Sequence, residues 1–403
     1  MRRCNELDAL LRSCPNLENL VITDPELTNA HLEKLRTFET QVSSQEHAKK
    51  LLRTTPLKQL NIQNCRHITD AGLQALSATN ALTDVRLDLR RSGGIGGEGL
   101  ECLSQLHALK ELRFDGSMLR GNDLRHLENM TQLDHLAMHG VEAENLTLFS
   151  HLAPLKALKS LSIDIAVQSG LLSATDTCRF DALAGMKDLE TLKVTMGSEE
   201  NEVAEEEFFA EDLSQICKMP QLTSLSFNAC NVDDAALTEL SKLTELKDLE
   251  LYRVNSQTSW KWILDLTCLD TLKINDLIGL EDDHLEPLEG TTLRNFEFTN
   301  NIHHEMSGYF LEHLPPSTQR VVLTNTVLPA DALAPLQHLP ELSTLRLNLL
   351  TFGPEQDQEW NKDAIPYLKN MPALATLNLA GRGFSAEQIA HLRENRPGLT
   401  VIA

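Results

Sequence analysis

From Leu57 to Leu76 the chain reads LKQLNIQNCRHITDAGLQAL, and the period of its apolar positions changes halfway. Leu60 and Ile62 alternate with Gln59, Asn61 and Gln63, the two-residue pattern of a strand with one buried face. Cys65 follows at a turn, and Thr69 and Asp70 then open a helical stretch with Leu73 and Leu76 on one face. The expected unit is strand, turn and helix.

The pattern returns along the whole chain. Its first leucine recurs at Leu17, Leu57, Leu82, Leu109, Leu133, Leu158, Leu189, Leu222, Leu246, Leu269, Leu293, Leu342 and Leu374, with Thr318 in the same role, and most steps are 23 to 27 residues. Apolar residues also stand nine, six and three positions before the next strand leucine, as Leu100, Leu103 and Leu106 do before Leu109. Longer steps place insertions near 166–179, 197–212 and 350–363, each between a strand and its helix and so on one rim of the array. Residues 1–56 read as irregular first repeats and a cap, 57–398 as repeats, and 399–403 as a last strand stub. Because each coil needs its neighbours to bury its apolar layer, residues 1–403 are expected to form a single repeat domain despite their number.

The LxxLxLxxC run followed by ITDxGL resembles the leucine-rich repeat family, in the cysteine-containing subtype found in F-box substrate receptors, and bacterial leucine-rich repeat effectors are similar. The resemblance implies an α/β solenoid, a horseshoe with a parallel β-sheet on the concave face and helices on the convex face, and a protein–protein interaction role. An F-box would precede the first repeat, where the chain leaves no room for one, so ubiquitin-ligase adaptor function is not carried over. The expected function is a scaffold for a protein partner, either cytoplasmic or translocated into a host cell as an effector. The alternatives are an enzyme inhibitor similar to ribonuclease inhibitor, and the substrate-receptor part of a ubiquitin ligase whose F-box lies on other sequence.

Charge narrows the partner. With 58 acidic against 36 basic residues the formal charge is −22, which disfavours nucleic acid and anionic membrane and favours a basic protein. No stretch approaches the roughly 20 apolar residues of a membrane span, and the first residues hold no signal-peptide apolar core. The eight cysteines form no CxxC pair; Cys65 and Cys230 fill turn positions, while Cys14, Cys102, Cys217 and Cys268 lie beside helix core positions. Buried thiols and a reducing cytoplasm are expected.

Catalytic chemistry is not expected. GGIGGEG does not match the phosphate-binding pattern and reads as a flexible loop. His303, His304, Glu305 and His313 have no standard metal-ligand spacing, and no Ser, His and Asp set has a supporting motif, so neither a metal nor a cofactor is implied. The candidate binding residues are instead the outward strand positions Asp84, Arg86, Asp88, Glu111, Arg113, Asp115, His135, His139 and Asp164. Repeat-by-repeat alignment sets Arg86 beside Arg113 and makes one column of Asp88, Asp115, His139 and Asp164. His135 and His139 stand about 13 Å apart along a strand, too far to share a metal ion. Aromatic anchors are fewer: Tyr252 projects from a strand, Trp360 sits in the third insertion, and Phe208 and Phe209 end the acidic run EENEVAEEEFF. Trp260 falls on a helix core position, whereas Trp262 points elsewhere.

Overall fold

The computed structural model describes residues 7, 10–11, 14, 17–35, 57–77, 82–92, 94–119, 121–142, 148–166, 180–196, 210–228, 234–279, 281–299, 308–349, 354–379, 383–394, 396 and 398–402. It divides into two compact units, Met1–Glu206 and Glu207–Ala403. Much of the second expected insertion (197–209), nearly all of the first, and Cys230 lie outside the described residues.

In the first unit the strands are β1 (Asn19–Ile22), β2 (Gln59–Ile62), β3 (Asp84–Leu89), β4 (Leu109–Asp115), β5 (His135–Glu142), β6 (Ser160–Ala166) and β7 (Thr191–Met196). Within this unit consecutive strands pair in parallel, β1 with β2 through β6 with β7. The second unit carries β8 (Ser224–Asn228), β9 (Asp248–Asn255), β10 (Thr271–Ile278), β11 (Asn295–Thr299), β12 (Arg320–Thr324), β13 (Thr344–Asn348), β14 (Thr376–Asn378) and β15 (Thr400–Ile402), again all parallel and in sequence order. Alternation decides the faces. Leu60, Ile62, Val85, Leu87, Leu112 and Phe114 are almost fully buried against the helical layer, and the residues between them form an open face. Both units are therefore α/β leucine-rich repeat solenoids.

The helical layer departs from the expected helices in kind. Several of its segments are 3₁₀-helices, among them Gly121–Asn129, Lys261–Asp265, Asp282–Gly290 and Ala330–His338. A three-residue turn eclipses positions i and i+3, so apolar residues nine, six and three before the strand all face the sheet, a register that a 3.6-residue turn would smear. Leu124, Leu127 and Met130 are buried in this way. The third expected insertion is largely helical: Pro354–Lys369 is a 16-residue α-helix. Trp262 does not point away, because it is buried with Trp260, their rings 5.3 Å apart.

Neighbouring coils are also joined by side chains. The Asn29 carboxamide accepts from the backbone N–H of Thr69 and donates to its hydroxyl. Asp70 accepts from the N–H of Gly96 at 3.1 Å, and Asp234 accepts from Ser256 at 2.6 Å. The glycine-rich stretch is accordingly no flexible loop: Ile95 is fully buried, a helix starts at Gly97, and the Asp70 carboxylate occupies the space that a Cβ on Gly96 or Gly99 would need. Of the thiols, Cys65 and Cys217 are buried, Cys14 and Cys102 are half-buried, and Cys268 is exposed, contrary to the expectation for that position. Cys65 donates to the Gln63 carbonyl, and burial, followed by the charges of Asp24 and Asp88, pushes its pKa up to about 12.

Two substitutions test this packing. Leu225→Asp places a carboxylate at a fully buried strand position and should lower the melting temperature by roughly 10 °C, whereas Thr299→Asp on the open face should shift it by about 2 °C or less; equal shifts in circular dichroism melts would refute the assignment of faces. Gly99→Ala meets both Asp70 and Ile95 and should cost about 1–3 kcal/mol in denaturant unfolding, while Gly398→Ala, with nothing within 4 Å of the new atom, should be close to neutral.

Candidate protein-recognition face

On the open face of the first unit, charged side chains of successive strands interlock. The Arg86 guanidinium donates to Asp84 at 3.2 Å within its own strand and to Glu111 of β4 at 3.3 Å. Glu111 uses its other oxygen for Arg113, at 2.8 Å, so one carboxylate links two cations. Side chains in these pairs keep between 20 and 40 % of their surface exposed, so the ladder is wet and each pair adds little stability. Its value is positional, since each charge is held where a partner would meet it.

The register differs from the repeat-by-repeat alignment. Between Val85 and Arg86 the β3/β4 ladder shifts, and from there Arg86 faces Glu111 and Asp88 faces Arg113. Arg86 is thus not beside Arg113; the slip converts an adjacency of like charges into two of opposite charge, which is the electrostatically preferred pairing. The expected column of Asp88, Asp115, His139 and Asp164 loses its first member. Asp88 belongs one row below, whereas Asp115 pairs with His139, and the interruption of the β5/β6 ladder between Met138 and Val141 sets His139 and Gly140 together against Asp164. His135 holds the Asp134 carboxylate at 2.8 Å through Nδ1. Beyond Arg113 the row falls to Ala137 and Ser162, short side chains beside a charged wall.

At the loop end of this face Arg90 grips Asp88 with two side-chain hydrogen bonds, 2.9 and 2.7 Å, and its backbone N–H reaches the same carboxylate. Burial by itself would raise the Asp88 pKa; the hydrogen bonds from Arg90 and the charges of Arg90 and Arg113 outweigh it and hold the carboxyl below its usual range.

In the second unit Tyr252 does project from the open face, and its hydroxyl donates to Glu250 at 2.7 Å. Ser226 is 7 % exposed and donates to the other oxygen of Glu250 at 3.0 Å. Burial, then the Glu250 hydrogen bond and charge, raise the Tyr252 pKa. A second ladder follows, in which Glu297 takes Lys273 at 3.4 Å and Arg320 at 3.3 Å. Glu250, Lys273, Glu297 and Arg320 occupy the same alternating strand positions that single out Asp84 and Arg86, and that rule applied to the later coils finds them too. Trp360 lies on the Pro354–Lys369 helix with its indole N–H donating to the Leu328 carbonyl at 2.6 Å. Phe208 and Phe209 lie outside the described residues, as do His303, His304 and Glu305. His313 is buried and holds Glu289 at 2.9 Å. Among the described residues no group of three His, Cys, Asp or Glu side chains is placed to hold a metal ion, and no helix is long and apolar enough to cross a membrane.

Residues 55–77 match the model of the Leucine Rich repeat family. An internalin from Listeria monocytogenes is similar in structure, with 17% identity, a TM-score of 0.53, and 95% of this chain and 94% of that one covered. A chain in the crystal structure of the Rad7 and Elc1 complex from yeast is similar at 17% identity and a TM-score of 0.50, covering 99% of this chain and 93% of its own. No curated protein matches in sequence. With the coil-by-coil parallel pairing, these likenesses make the chain a leucine-rich repeat protein in fold.

Because the folded Asp88 pKa is depressed, its contribution to stability is present above the unfolded value near 4 and is lost as pH falls through the lower folded value. Asp88→Asn should therefore reduce stability at neutral pH, and the difference should shrink as pH falls below the unfolded carboxylate value and vanish below the folded one; a difference that stays constant through acid titration would show that the carboxylate charge is not what matters.

Proposed function

We propose that the chain is a protein-recognition scaffold, binding rather than catalytic, which takes a basic protein partner on the open strand face of its first unit. The supporting observation is the charge ladder. Among the described outward residues of β3–β6, the carboxylates of Asp84, Asp88, Glu111, Asp115 and Asp164 stand against the guanidinium groups of Arg86 and Arg113. A basic surface can compete for these half-exposed carboxylates with little desolvation cost, and the short Ala137 and Ser162 side chains beside them leave room for an inserted side chain. The yeast neighbour was solved in a complex, in keeping with an interaction role for this fold. The acidic run ending in Phe208 and Phe209 would extend the surface, and the buried thiols of Cys65 and Cys217 suit a reducing cytoplasm, whether that of the producing cell or of a host.

The test compares the full chain with the triple variant Asp84→Asn, Glu111→Gln, Asp115→Asn in affinity capture from cell extract, followed by calorimetry on the captured protein. A basic partner should bind the wild type, lose roughly tenfold affinity on the variant, and weaken with added salt. A partner bound equally by both proteins, but lost by Trp360→Ala, would move the site to the second unit and refute the proposal.

A further inference from the structure

The open face of the second unit reverses the sign of the chain as a whole. Among the described side chains the outward charges on β9 are Asp248 and Glu250, but from β10 to β14 they are Lys273, Glu297, Arg320 and Arg346, three cations to one carboxylate in a chain of formal charge −22. The remaining outward residues of these strands, among the described side chains, are threonine, asparagine and one valine. Glu297 is shared by Lys273 and Arg320, so it neutralises only one of them. The Arg346 side chain is exposed and makes no hydrogen bond or ion pair among the described residues. Its strand neighbours are Val322 on one side and Asn378 on the other, neither able to balance its charge. The nearby Arg294 and Asp270 pair with each other at 3.2 Å and add no net charge.

We infer that this cationic stretch, centred on Arg320 and Arg346, is a second docking surface, and that its occupant is an acidic segment of a partner protein bound in extended form. Arg320 and Arg346 sit on adjacent strands two rows apart, so their Cα atoms are separated by about 8 Å, given ~4.8 Å between strands and ~6.7 Å per two residues. Alternate side chains of an extended peptide are spaced by nearly the same ~6.7 Å, within the reach of two arginines that each prefer a carboxylate fork. Val322, 7 % exposed between Glu297 and Arg346, forms an apolar floor for the intervening residues. A long polyanion such as nucleic acid would run off the patch into the field of the acidic remainder, whereas a short acidic segment stays within it. This surface belongs to the second unit alone and does not depend on the ladder of the first.

The probe is a fluorescein-labelled decapeptide of alternating Glu and Ser, titrated with the full chain at low salt and at roughly 0.15 M. Anisotropy should report saturable binding that weakens with salt. Arg346→Gln should weaken it about tenfold, the loss expected for one charge-assisted hydrogen bond, and the double variant Arg320→Gln, Arg346→Gln should abolish it. Lys261→Gln, which removes the same charge from an exposed position on the helical side, should leave it unchanged, with circular dichroism melts confirming that every variant folds. The inference is overturned if the peptide does not bind at low salt, if Lys261→Gln weakens binding as much as Arg346→Gln, or if a labelled oligothymidine of equal length binds as well. Self-association that Arg346→Glu abolishes, without binding of the peptide, would likewise overturn it and make a second copy of the chain the occupant.

Discussion

Every coil of this protein depends on the coil before and after it, because one strand and one short helical segment enclose a single layer of leucines that neither could bury alone. Leu60 and Ile62 are sealed only when the Val85 and Leu87 layer is set against them through the β2/β3 ladder. Burial of a leucine is worth about 1.5–3 kcal/mol, and with two or three such residues per strand the stacking of coils outweighs any interaction on the surface. The charge ladders are therefore free to serve recognition, since the fold does not rest on them.

This hierarchy explains what could be read from the sequence. Residues whose only requirement is to be apolar on one face declare themselves by spacing, so the strands and their buried positions follow from the leucine register. The helical layer was legible in position but less so in kind: three apolar residues at intervals of three already suit a 3₁₀ turn, as at Leu124, Leu127 and Met130. Register between coils was harder. Repeat alignment assumes that equivalent residues pair, whereas β3 and β4 slip after Val85 so that Arg86 meets Glu111. The step of 27 residues from Leu82 to Leu109 is the longest within the regular range, a visible sign of surplus chain, but step length does not reveal where the surplus is absorbed. The Glu250, Ser226 and Tyr252 cluster was missed for another reason. Two of its members looked unremarkable as single residues, and their meaning comes from the two adjacent strands that bring both hydroxyls to one carboxylate.

Both ladders divide one carboxylate between two cations: Glu111 between Arg86 of the preceding strand and Arg113 of its own, and Glu297 between Lys273 and Arg320 of the strands on either side. The difference lies in what surrounds them. In the first unit aspartates flank the ladder; in the second, hydroxyls and amides do, together with one arginine that is left over. The same backbone thus presents two electrostatic characters on two separate faces, set only by outward residues that the core does not constrain.

The carboxylate of Asp70 lying where Gly96 and Gly99 lack side chains bears on how such a chain can change over evolutionary time. A repeat array invites duplication and loss of whole coils, since each is built to the same plan. Here one coil carries an aspartate that needs glycines in its successor, and the successor carries glycines that would leave a void behind any other predecessor. A coil boundary redrawn between them would set Asp70 against a side chain where it now meets none, so at this seam the coils are not interchangeable.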